Sequence, residues 1–547
     1  MVTGGGGGIG SAAALELARQ GARVLVVDPG VSVAGEPIEE PTAAATADRI
    51  QGEGFSAESS TVSVTDCDAL RSMLQDVRSR YGSLDIVVNT AGIVRTARLP
   101  DSEEDDWSSV LGVHFDGYLN VLNIALPMMV DAGYGRIVGV TSGVGLARTA
   151  GDALVYGAAK RAVAALTWQL GPLLPAGVNV NALSPIAATR MVRSSLIASG
   201  ANPRGLDLSA MPQPEAMAPA AAYLAGDRID WCRGQVVFSA GSELSAISAP
   251  RLLEAVRSDA VEDTDRVLGT VMPVILAPAE AQQRSTGGSN PRFGDVFGET
   301  GLPPTPDTAT SEPARNCLVV ADDAAPALAR ALQAWDLRAV GPGGRDPSTH
   351  SGAHRWGFDE VIRSLGEAVE SAGPLDAVIV VSSPTPSGRQ EGEDLAAWRH
   401  LLAAQVSTTD HVMAHGAWLR AAARYSRDAR RPVRVVHVTT VAAGECRPAA
   451  QAVAQLARSA NDVAMPDPFD VFSITVESNG DADIEASCHL AARLVGADDA
   501  PALRGAELVV DRGWLGLRRH PEPAATISFG GPAIPGFVDE ALRQAFG

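Results

Sequence analysis

A tyrosine and a lysine four positions apart are the first residues in this sequence that could carry out chemistry. Lys160 is the only lysine among 547 residues, and it follows Tyr156 at a spacing that puts both side chains on one face of a helix. A lysine ammonium is compact enough to reach a hydroxyl and to stand beside a phenol, where it would lower the pKa of the tyrosine. The pair therefore predicts a tyrosine acid/base, although the same spacing also fits an ordinary surface pair on a helix.

The first residues of the sequence are typical of a phosphate-binding turn. A glycine run between Thr3 and Gly10 precedes an alanine-rich segment, and glycines let a backbone approach a pyrophosphate at the start of a helix. Asp28 ends the second predicted strand, where a carboxylate can bind the ribose hydroxyls of adenosine and repel a 2′-phosphate. These features predict a dinucleotide site that prefers NAD to NADP. The alternatives are a glycine-rich start without structure and a strand-end turn aspartate.

The elements that would position these residues are short apolar strands that alternate with helices. This alternation indicates a parallel sheet covered on both faces. The same rhythm returns after residue 315, so we predict an α/β fold of two tandem Rossmann-like domains, each built on a doubly wound parallel sheet. The expected segments are a catalytic, NAD-binding domain at 1–278, a linker rich in Pro, Gly, Ser and Thr at 279–314, a second domain at 315–519 and a C-terminal tail at 520–547.

Composition excludes several classes of function. The formal net charge of −20, with no basic stripe to offset it, argues against a nucleic-acid partner. No apolar run reaches the roughly 18 residues needed to cross a bilayer, and no basic segment opens a secretory signal. The five scattered cysteines lack metal-ligand spacing and are typical of reduced thiols. We therefore expect a cytoplasmic protein with a small-molecule partner and without a membrane, nucleic-acid or metal partner.

Four motifs within the first 245 residues together resemble the short-chain dehydrogenase/reductase superfamily. They are Thr3-Gly4-x-x-x-Gly8-Ile9-Gly10, Asn89-Thr-Ala91-Gly92, Tyr156-x-x-x-Lys160 and Asn181-Ala-Leu-Ser-Pro185-Ile186-Ala-Ala-Thr189. The resemblance implies an NAD-dependent enzyme that interconverts a secondary alcohol and a ketone, with Tyr156 and Lys160 as catalytic residues. The cofactor contacts that it implies are Thr3, Gly4, Gly8, Ile9, Gly10, Asp28, Ser63, Val64, Asn89, Ala91, Gly92, Tyr156, Lys160, Pro185, Ile186 and Thr189.

A finer resemblance concerns the substrate. The sequence Val113-His114-Phe-Asp-Gly117 and the longer segment 29–42 resemble the dehydrogenase modules of multifunctional enzyme type 2 and their actinobacterial steroid-catabolic relatives. This resemblance implies a hydrophobic alcohol or ketone, such as a hydroxysteroid or a 3-hydroxyacyl-CoA. The apolar stretch 191–217 would be its lid, although an ordinary core explains those residues equally well. His114 replaces a family asparagine on a proton path, so we count it as a catalytic candidate, with a packed helix histidine as the alternative.

Two departures from the family pattern bear on function. The family's catalytic serine is expected thirteen residues before the tyrosine, where this sequence has Gly143. The adjacent Ser142 would face the other side of a regular strand, and only a distortion at the strand end would turn it towards the site. Without that hydroxyl, the alternative function is a cofactor-binding pseudoenzyme or scaffold that lacks hydride transfer. Only Met1 and Val2 stand in place of the family's first strand, so our hypothesis is an upstream start codon or a truncated reading frame.

The second half lacks these chemical parts. Asp322 and Asp323 stand in place of a glycine cradle and should repel a pyrophosphate. The segment 382–386 replaces the Asn-Ala-Gly motif, and Gln451-Ala-Val-Ala-Gln455 lies near the place of Tyr-x-x-x-Lys. We predict a degenerate, non-catalytic copy of the first domain. Such domains pair through long helices, so we expect the halves to form an intramolecular pseudo-dimer, with a homodimer of tandem chains as a further alternative.

Overall fold

In a computed structural model, the chain forms two α/β halves, each built on one large sheet. The structure describes residues 1–39, 42–146, 153–199, 211–258, 264–283, 316–321, 324–345, 357–384, 396–441, 446–478, 480–531 and 533–546. Among these residues, no helix is both long enough and apolar enough to cross a membrane.

The first sheet consists mainly of strands from the first half of the sequence. The strands of that half are β1 Val2–Thr3, β2 Val24–Val27, β3 Ala57–Ser60, β4 Ile86–Asn89, β5 Gly135–Val140, β6 Val178–Pro185, β7 Val236–Ser239, β8 Glu243–Ser248 and β9 Leu252–Arg257. Together with β17 Glu522–Ser528, the first eight form a sheet of nine strands within the described residues, in the order β17-β8-β7-β6-β5-β4-β1-β2-β3. The strands from β3 to β7 are parallel, whereas β8 and β17 are antiparallel to their neighbours. Valine-rich strands such as β2 and β4 are largely buried, which is the pattern of a parallel sheet.

The second sheet repeats this arrangement with eight strands in the order β11-β10-β12-β13-β14-β15-β16-β9. Its strands from β11 to β15 are parallel, and β16 and β9 are antiparallel additions at one edge. The two sheets confirm the predicted fold class of two Rossmann-like units. The strands of the second half of the sequence are β10 Asn316–Val320, β11 Arg338–Val340, β12 Ala377–Ser382, β13 Val433–Thr440, β14 Phe469–Val476, β15 Glu507–Asp511, β16 Trp514–Arg518 and β17 Glu522–Ser528.

Helices follow most of the parallel strands and cover both faces of each sheet. Those of the first half are α1 Gly8–Arg19, α2 Thr42–Gly52, α3 Cys67–Tyr81, α4 Glu104–Leu111, α5 Gly117–Ala132, α6 Leu154–Leu170, α7 Arg190–Ser199, α8 Ala218–Leu224, α9 Thr264–Val271 and α10 Ala277–Gln282. Those of the second half are α11 Ala325–Gln333, α12 Phe358–Ala372, α13 Ala397–Ala404, α14 Thr408–Ala429, α15 Arg447–Ala460, α16 Asp481–Gly496 and α17 Phe537–Phe546.

The first strand is short but complete in its pairing. Val2 pairs with Val26 on one side and with Val88 on the other, so β1 lies between β2 and β4. The amino group of Met1 donates a hydrogen bond to the Ile86 carbonyl over 2.8 Å. The centre of the sheet, where the sequence predicts a missing strand, is therefore filled by β1 together with the backbone of Met1.

The two halves exchange their last strands. β9 follows β8 in the sequence but pairs with β16 of the second sheet, and β17 follows β16 but pairs with β8 of the first sheet. The helices behind these strands follow them: α17 lies on the first half, where Tyr223 donates a hydrogen bond to Asp539 over 2.6 Å. The sheets therefore divide the chain differently from the expected boundaries at 278 and 519. A local pattern predicts an edge strand but does not specify which sheet it joins.

Helices from both halves form the contact between them. α6 packs along α15, and α14 lies against α4. Trp107 of α4 fits against Gly416 of α14, where an added side-chain carbon would come within 2.2 Å of the indole ring. Thr409 donates a hydrogen bond to Asp116 over 2.6 Å across the same contact. The contact has the helical arrangement expected for an intramolecular pair of halves.

Candidate functional site

A cavity of about 730 Å³ opens at the carboxyl ends of the parallel strands of the first sheet. Binding sites of open α/β sheets lie at this edge, because the strands leave their loops and helix starts there. Asn89 and Ile186 are the predicted site residues that lie outside the lining. The predicted residues that line the cavity are Thr3, Gly4, Gly8, Ile9, Gly10, Asp28, Ser63, Val64, Ala91, Gly92, His114, Tyr156, Lys160, Pro185 and Thr189.

The glycine turn before α1 forms a cradle with little room for side chains. Gly4 has a φ of 63°, and an added Cβ there would lie 2.7 Å from the Ala91 nitrogen. At Gly10 the added carbon would lie 2.3 Å from the Gly4 carbonyl oxygen. Beside Gly8 the nearest atom would be Cγ2 of Thr189 at 3.8 Å, so open space remains on that side. These residues fit the phosphates of a dinucleotide, with the N-terminus of α1 beneath them.

Asp28 lies directly after β2 and holds the glycine turn in place. Its carboxylate accepts hydrogen bonds from the Gly6 nitrogen over 3.0 Å and from the Gly30 nitrogen over 2.9 Å. Thr42 at the start of α2 donates a further hydrogen bond over 3.1 Å. Because Asp28 also lines the cavity, its negative charge faces the place where an adenosine ribose would lie.

Asn89 acts behind the cavity wall. The Thr3 hydroxyl donates a hydrogen bond to Asn89 over 2.7 Å, and both side chains are buried. The Ala91 nitrogen in turn donates to the Thr3 hydroxyl over 3.4 Å. Asn89 thus joins the end of β4 to the start of the glycine turn and contacts a residue that lines the cavity.

Lys160 is buried at the base of the cavity. Its ammonium donates a hydrogen bond to the Val140 carbonyl over 2.6 Å and lies 5.7 Å from the centre of the Tyr156 ring. Burial lowers the pKa of Lys160 to about 7. Thr141 bonds to the Lys160 carbonyl over 2.7 Å and fixes α6 against the end of β5. Lys160 therefore sits within the site at the position that the sequence predicts.

Tyr156 differs from the expectation in its ionisation. Burial raises the pKa of Tyr156, and a hydrogen bond with the Ser142 side chain opposes that rise. The expected lowering of this pKa by Lys160 is wrong for this arrangement. The Lys160 ammonium donates its hydrogen bond to the Val140 carbonyl and not to the phenol. Burial also lowers the pKa of Lys160, so its positive charge is less favoured in the folded chain.

Ser142, rather than Gly143, brings a hydroxyl to the cavity that Tyr156 also lines. Gly143 begins a short 3-10 turn, Gly143–Gly145, and the Ser142 side chain caps this turn. A hydroxyl therefore does line the cavity next to Gly143, where the sequence predicts none. β5 ends at Val140, so strand alternation no longer decides where Ser142 points. Ser142 and Tyr156 also lie on different elements. The number of residues between them therefore does not determine whether residue 142 or residue 143 faces the Tyr156 ring.

His114 packs against the ring of Tyr156. It lies in a π-helical turn, Gly112–Asp116, that joins α4 to α5, and such turns are frequent at functional sites. Its ring meets the Tyr156 ring edge-on, with centres 5.0 Å apart, and its Nε2 lies 2.6 Å from the Ile93 oxygen. Burial, and then the charge of Lys160, hold the pKa of His114 well below its usual range. A neutral imidazole thus supports Tyr156 from the side.

Several lining residues were not predicted from the sequence. Arg190 places its guanidinium over the glycine turn, 3.0 Å from a carbon added at Gly7. Arg95 bonds to the Ala34 carbonyl over 3.0 Å and pairs with Asp105, which fastens the segment after β2 to α4. An arginine at the start of a helix carries no signal by itself in the sequence. Met191 and Val192 of the predicted lid also line the cavity, whereas residues 200–210 of that lid lie outside the described residues.

The second half has polar contacts at the segments where the sequence predicts degenerate motifs. Gln451 accepts a hydrogen bond from Arg161 over 2.8 Å, and Gln455 donates one to the Val144 carbonyl over 3.0 Å. Ser382 lies within a buried cluster with His411 and His415, 2.9 Å from the latter. The predicted acids at 322–323, most of the linker 279–314 and residues 385–386 lie outside the described residues.

Comparison with known proteins places these motifs in a family. The family model described as short chain dehydrogenase matches residues 1–197. An acetoacetyl-CoA reductase of Allochromatium vinosum is 32% identical over 244 residues, which cover 43% of this chain and 93% of that protein. The peroxisomal multifunctional enzyme A of Dictyostelium discoideum is 33% identical over 195 residues, covering 36% of this chain and 43% of that protein.

Likeness to a solved structure extends through both halves. The crystal structure of the N-domain of a bacterial malonyl-CoA reductase with NADP covers 91% of this chain and 94% of that chain, with a TM-score of 0.62. The sequences are only 17% identical, so this likeness concerns the fold alone. The likeness shows that a second protein has a similar fold over most of this chain.

Proposed function

Because this chain belongs to the short-chain dehydrogenase family and is an NAD(P)-dependent oxidoreductase of alcohol and keto groups, we propose that it interconverts a hydrophobic secondary alcohol and a ketone with NAD. The observation that carries the proposal is the meeting of Ser142, Tyr156 and Lys160 at one cavity that Asp28 also lines. This set combines a proton carrier, a hydroxyl beside it, a cation and an acceptor for ribose hydroxyls.

Each side chain has a separate task in this proposal. Tyr156 takes a proton from the alcohol or returns one to the ketone, since its phenol is the acid/base within the cavity. Ser142 donates a hydrogen bond to the reacting oxygen and stabilises the charge that develops there. Lys160 holds the ribose next to the nicotinamide, and His114 keeps the Tyr156 ring in place. Bound NAD supplies the acceptor or donor of hydride.

Asp28 supports the choice of NAD over NADP. A 2′-phosphate would bring negative charge next to a carboxylate that the Gly6 and Gly30 nitrogens hold in one place. Arg190 lies at the glycine turn, where it can meet the pyrophosphate that both cofactors share. The cofactor choice proposed here therefore depends on Asp28.

The walls of the cavity support a hydrophobic substrate. Ile93, Ala187, Met191 and Val192 contribute apolar surface to the lining. One relative acts on acetoacetyl-CoA by its name, which favours a 3-hydroxyacyl thioester. A hydroxysteroid fits the same apolar lining, so both classes belong in the first substrate panel.

We also propose that the second half is a degenerate copy without catalysis. Neither glutamine of Gln451-Ala-Val-Ala-Gln455 can replace a tyrosine or lysine. Gln455 bonds to Val144 of the first half, and Gln451 bonds to Arg161 of the first half and to Glu507. Titration with NADH should therefore reach one site per chain. Two equivalent sites would contradict this assignment.

The decisive experiment mixes the full chain with NAD and a panel of hydroxysteroids and 3-hydroxyacyl-CoA thioesters. We expect NADH absorbance to appear with at least one class and to be lost with the Tyr156→Phe variant. The Ser142 hydroxyl, which lines the cavity with Tyr156, argues against the scaffold alternative predicted from Gly143. Tight NADH binding without turnover of either class, in both directions, would restore it.

A further inference from the structure

A residue of the second half touches the turn that carries the hydroxyl of the active site. Gln455 of α15 donates a hydrogen bond to the Val144 carbonyl over 3.0 Å. Val144 is the middle residue of the turn Gly143–Gly145, and its nitrogen donates to the Ser142 hydroxyl over 3.4 Å. Ser142 and Tyr156 line the same cavity, and the Ser142 side chain opposes the rise in the pKa of the Tyr156 phenol that burial causes. Two hydrogen bonds therefore connect α15 with the serine that faces the acid/base of the other half.

The turn is confined between two helices. An added carbon at Gly145 would lie 2.7 Å from the Arg161 nitrogen, so this side of the turn rests directly on α6. On α6 itself, a carbon added at Gly157 would lie 3.2 Å from the Val144 oxygen and 3.7 Å from Cγ of Gln455. Because Gly157, next to Tyr156, has no side chain, Gln455 has room to reach the turn Gly143–Gly145.

α15 is itself held firmly against α6. One turn away from Gln455, Gln451 accepts a hydrogen bond from Arg161 and donates one to Glu507 over 2.9 Å. Arg161 and Glu507 form an ion pair, and all these side chains are buried. A buried and hydrogen-bonded helix contact fixes the position from which Gln455 donates.

We propose that Gln455 is a positioning residue for the active site of the first half: by its hydrogen bond to the Val144 carbonyl, it holds the turn so that the Ser142 hydroxyl faces Tyr156. The inference rests on the proposed function of Ser142 and Tyr156. It gives the second half a task in the reaction, although that half lacks the tyrosine and lysine. The residue acts only through the turn and touches neither substrate nor cofactor.

Removing the donor should change the chemical step and leave cofactor binding intact. One neutral hydrogen bond is worth about a 2- to 10-fold effect, so kcat of Gln455→Leu should fall by about that factor. The Kd of NADH should stay within about twofold. Because the Ser142 bond opposes the rise in the Tyr156 pKa, loosening the turn should raise that pKa. The acid limb of the kcat/KM profile for alcohol oxidation should then move to higher pH.

The test is a double-mutant cycle in the full chain. Gln455→Leu and Gln455→Glu are each combined with Ser142→Ala. Arg427→Leu is the control, because the ion pair of Arg427 with Asp101 also joins the two halves and does not involve the turn. We expect Gln455→Leu to have less than about a twofold effect on kcat once Ser142 is gone, because the two residues act in sequence. Arg427→Leu should leave the pH profile unchanged. Equal effects of Gln455→Leu with and without Ser142 would overturn the proposal, as would a shifted profile in Arg427→Leu.

A second measurement separates this inference from the proposed function. NMR titration of the tyrosines labelled with ¹³C at Cζ, six in the chain, follows the Tyr156 phenol without turnover once Tyr156→Phe has assigned its signal. We expect Gln455→Leu, or Gln455→Glu if the leucine variant does not fold, to raise the Tyr156 pKa in the same direction as Ser142→Ala. A Tyr156 pKa that Ser142→Ala raises and Gln455 variants leave in place would refute the positioning role. Lack of turnover in the unmodified chain would instead refute the proposed function.

Discussion

Arg161, the residue that follows Lys160 on α6, forms an ion pair with Glu507 of β15 in the second sheet, and both side chains are buried. Gln451 completes the contact by bonding to each of them. The face of α6 opposite the active site is therefore anchored in the other half of the chain. The helix that carries Tyr156 and Lys160 cannot move without disturbing a buried network that spans both sheets.

The first prediction concerns this pair. Arg161→Leu leaves the Glu507 carboxylate buried without its partner, which costs about 3–5 kcal/mol. The double variant Arg161→Leu with Glu507→Leu should recover much of that loss, because no charge remains to be desolvated. Urea unfolding measures both. Arg19→Leu is the control, since its pair with Glu53 is exposed and contributes about 0–1 kcal/mol. A single variant as stable as the double one would contradict the prediction.

The second prediction concerns the acid/base. Tyr156→Phe should lower kcat by about 10²- to 10⁴-fold, because no phenol remains to exchange the proton. The Kd of NADH should stay within about twofold, since the ring and its contact with His114 remain. Tyr134→Phe is the matched control, because its hydroxyl bonds to Asp227 away from the cavity. Stopped-flow and steady-state kinetics measure both variants, and an active Tyr156→Phe enzyme would exclude this mechanism.

The third prediction separates Ser142 from Gly143. Ser142→Ala should lower kcat by about 10²- to 10³-fold, the usual effect of removing one donor to a developing oxyanion. Gly143→Ser should give no gain in kcat, because the turn already presents a hydroxyl from the preceding residue. Steady-state kinetics on one substrate compare the two variants. A large gain in Gly143→Ser with no loss in Ser142→Ala would reverse the assignment.

The fourth prediction concerns cofactor choice. Two unit charges about 4 Å apart repel by about 1 kcal/mol even at the dielectric constant of water, so Asp28→Asn should improve the ratio of NADPH to NADH affinity by about fivefold or more. Isothermal titration measures both constants. Asp66→Asn is the control, because that carboxylate also accepts from a backbone nitrogen, at the start of α3, without lining the cavity. An unchanged ratio in Asp28→Asn would remove Asp28 from the specificity argument.

The fifth prediction concerns pH and stability. Burial lowers the pKa of Lys160 from 10.5 to about 7, so between these values the unfolded chain binds more protons than the folded chain, and stability rises with pH. Lys160→Met should therefore stabilise the protein below pH 7, by roughly 1 to 3 kcal/mol, with no gain above about 10.5. Thermal unfolding across this range, with the permanently charged Lys160→Arg as control, measures the effect. A gain that does not change with pH would contradict it.

The sequence alone determined the chemistry of the first half and its type of fold. Glycines in a turn, an acid after the second strand and a Tyr-x-x-x-Lys helix are local signals, because each residue acts through the backbone segment to which it belongs. Alternating strands and helices likewise imply two parallel sheets, since strand and helix periods are written in short windows of sequence. The family assignment followed from the same motifs and is shared with relatives.

Only the tertiary structure decided how segments far apart in the chain meet. Counting residues back from Tyr156 pointed to Gly143, whereas Ser142 brings a hydroxyl to the cavity, because the turn after β5 no longer follows strand alternation. The exchange of β9 and β17 and the reach of Gln455 to Val144 join residues hundreds of positions apart. Such contacts depend on how complete elements pack, and no local pattern specifies which surface of one half meets the other.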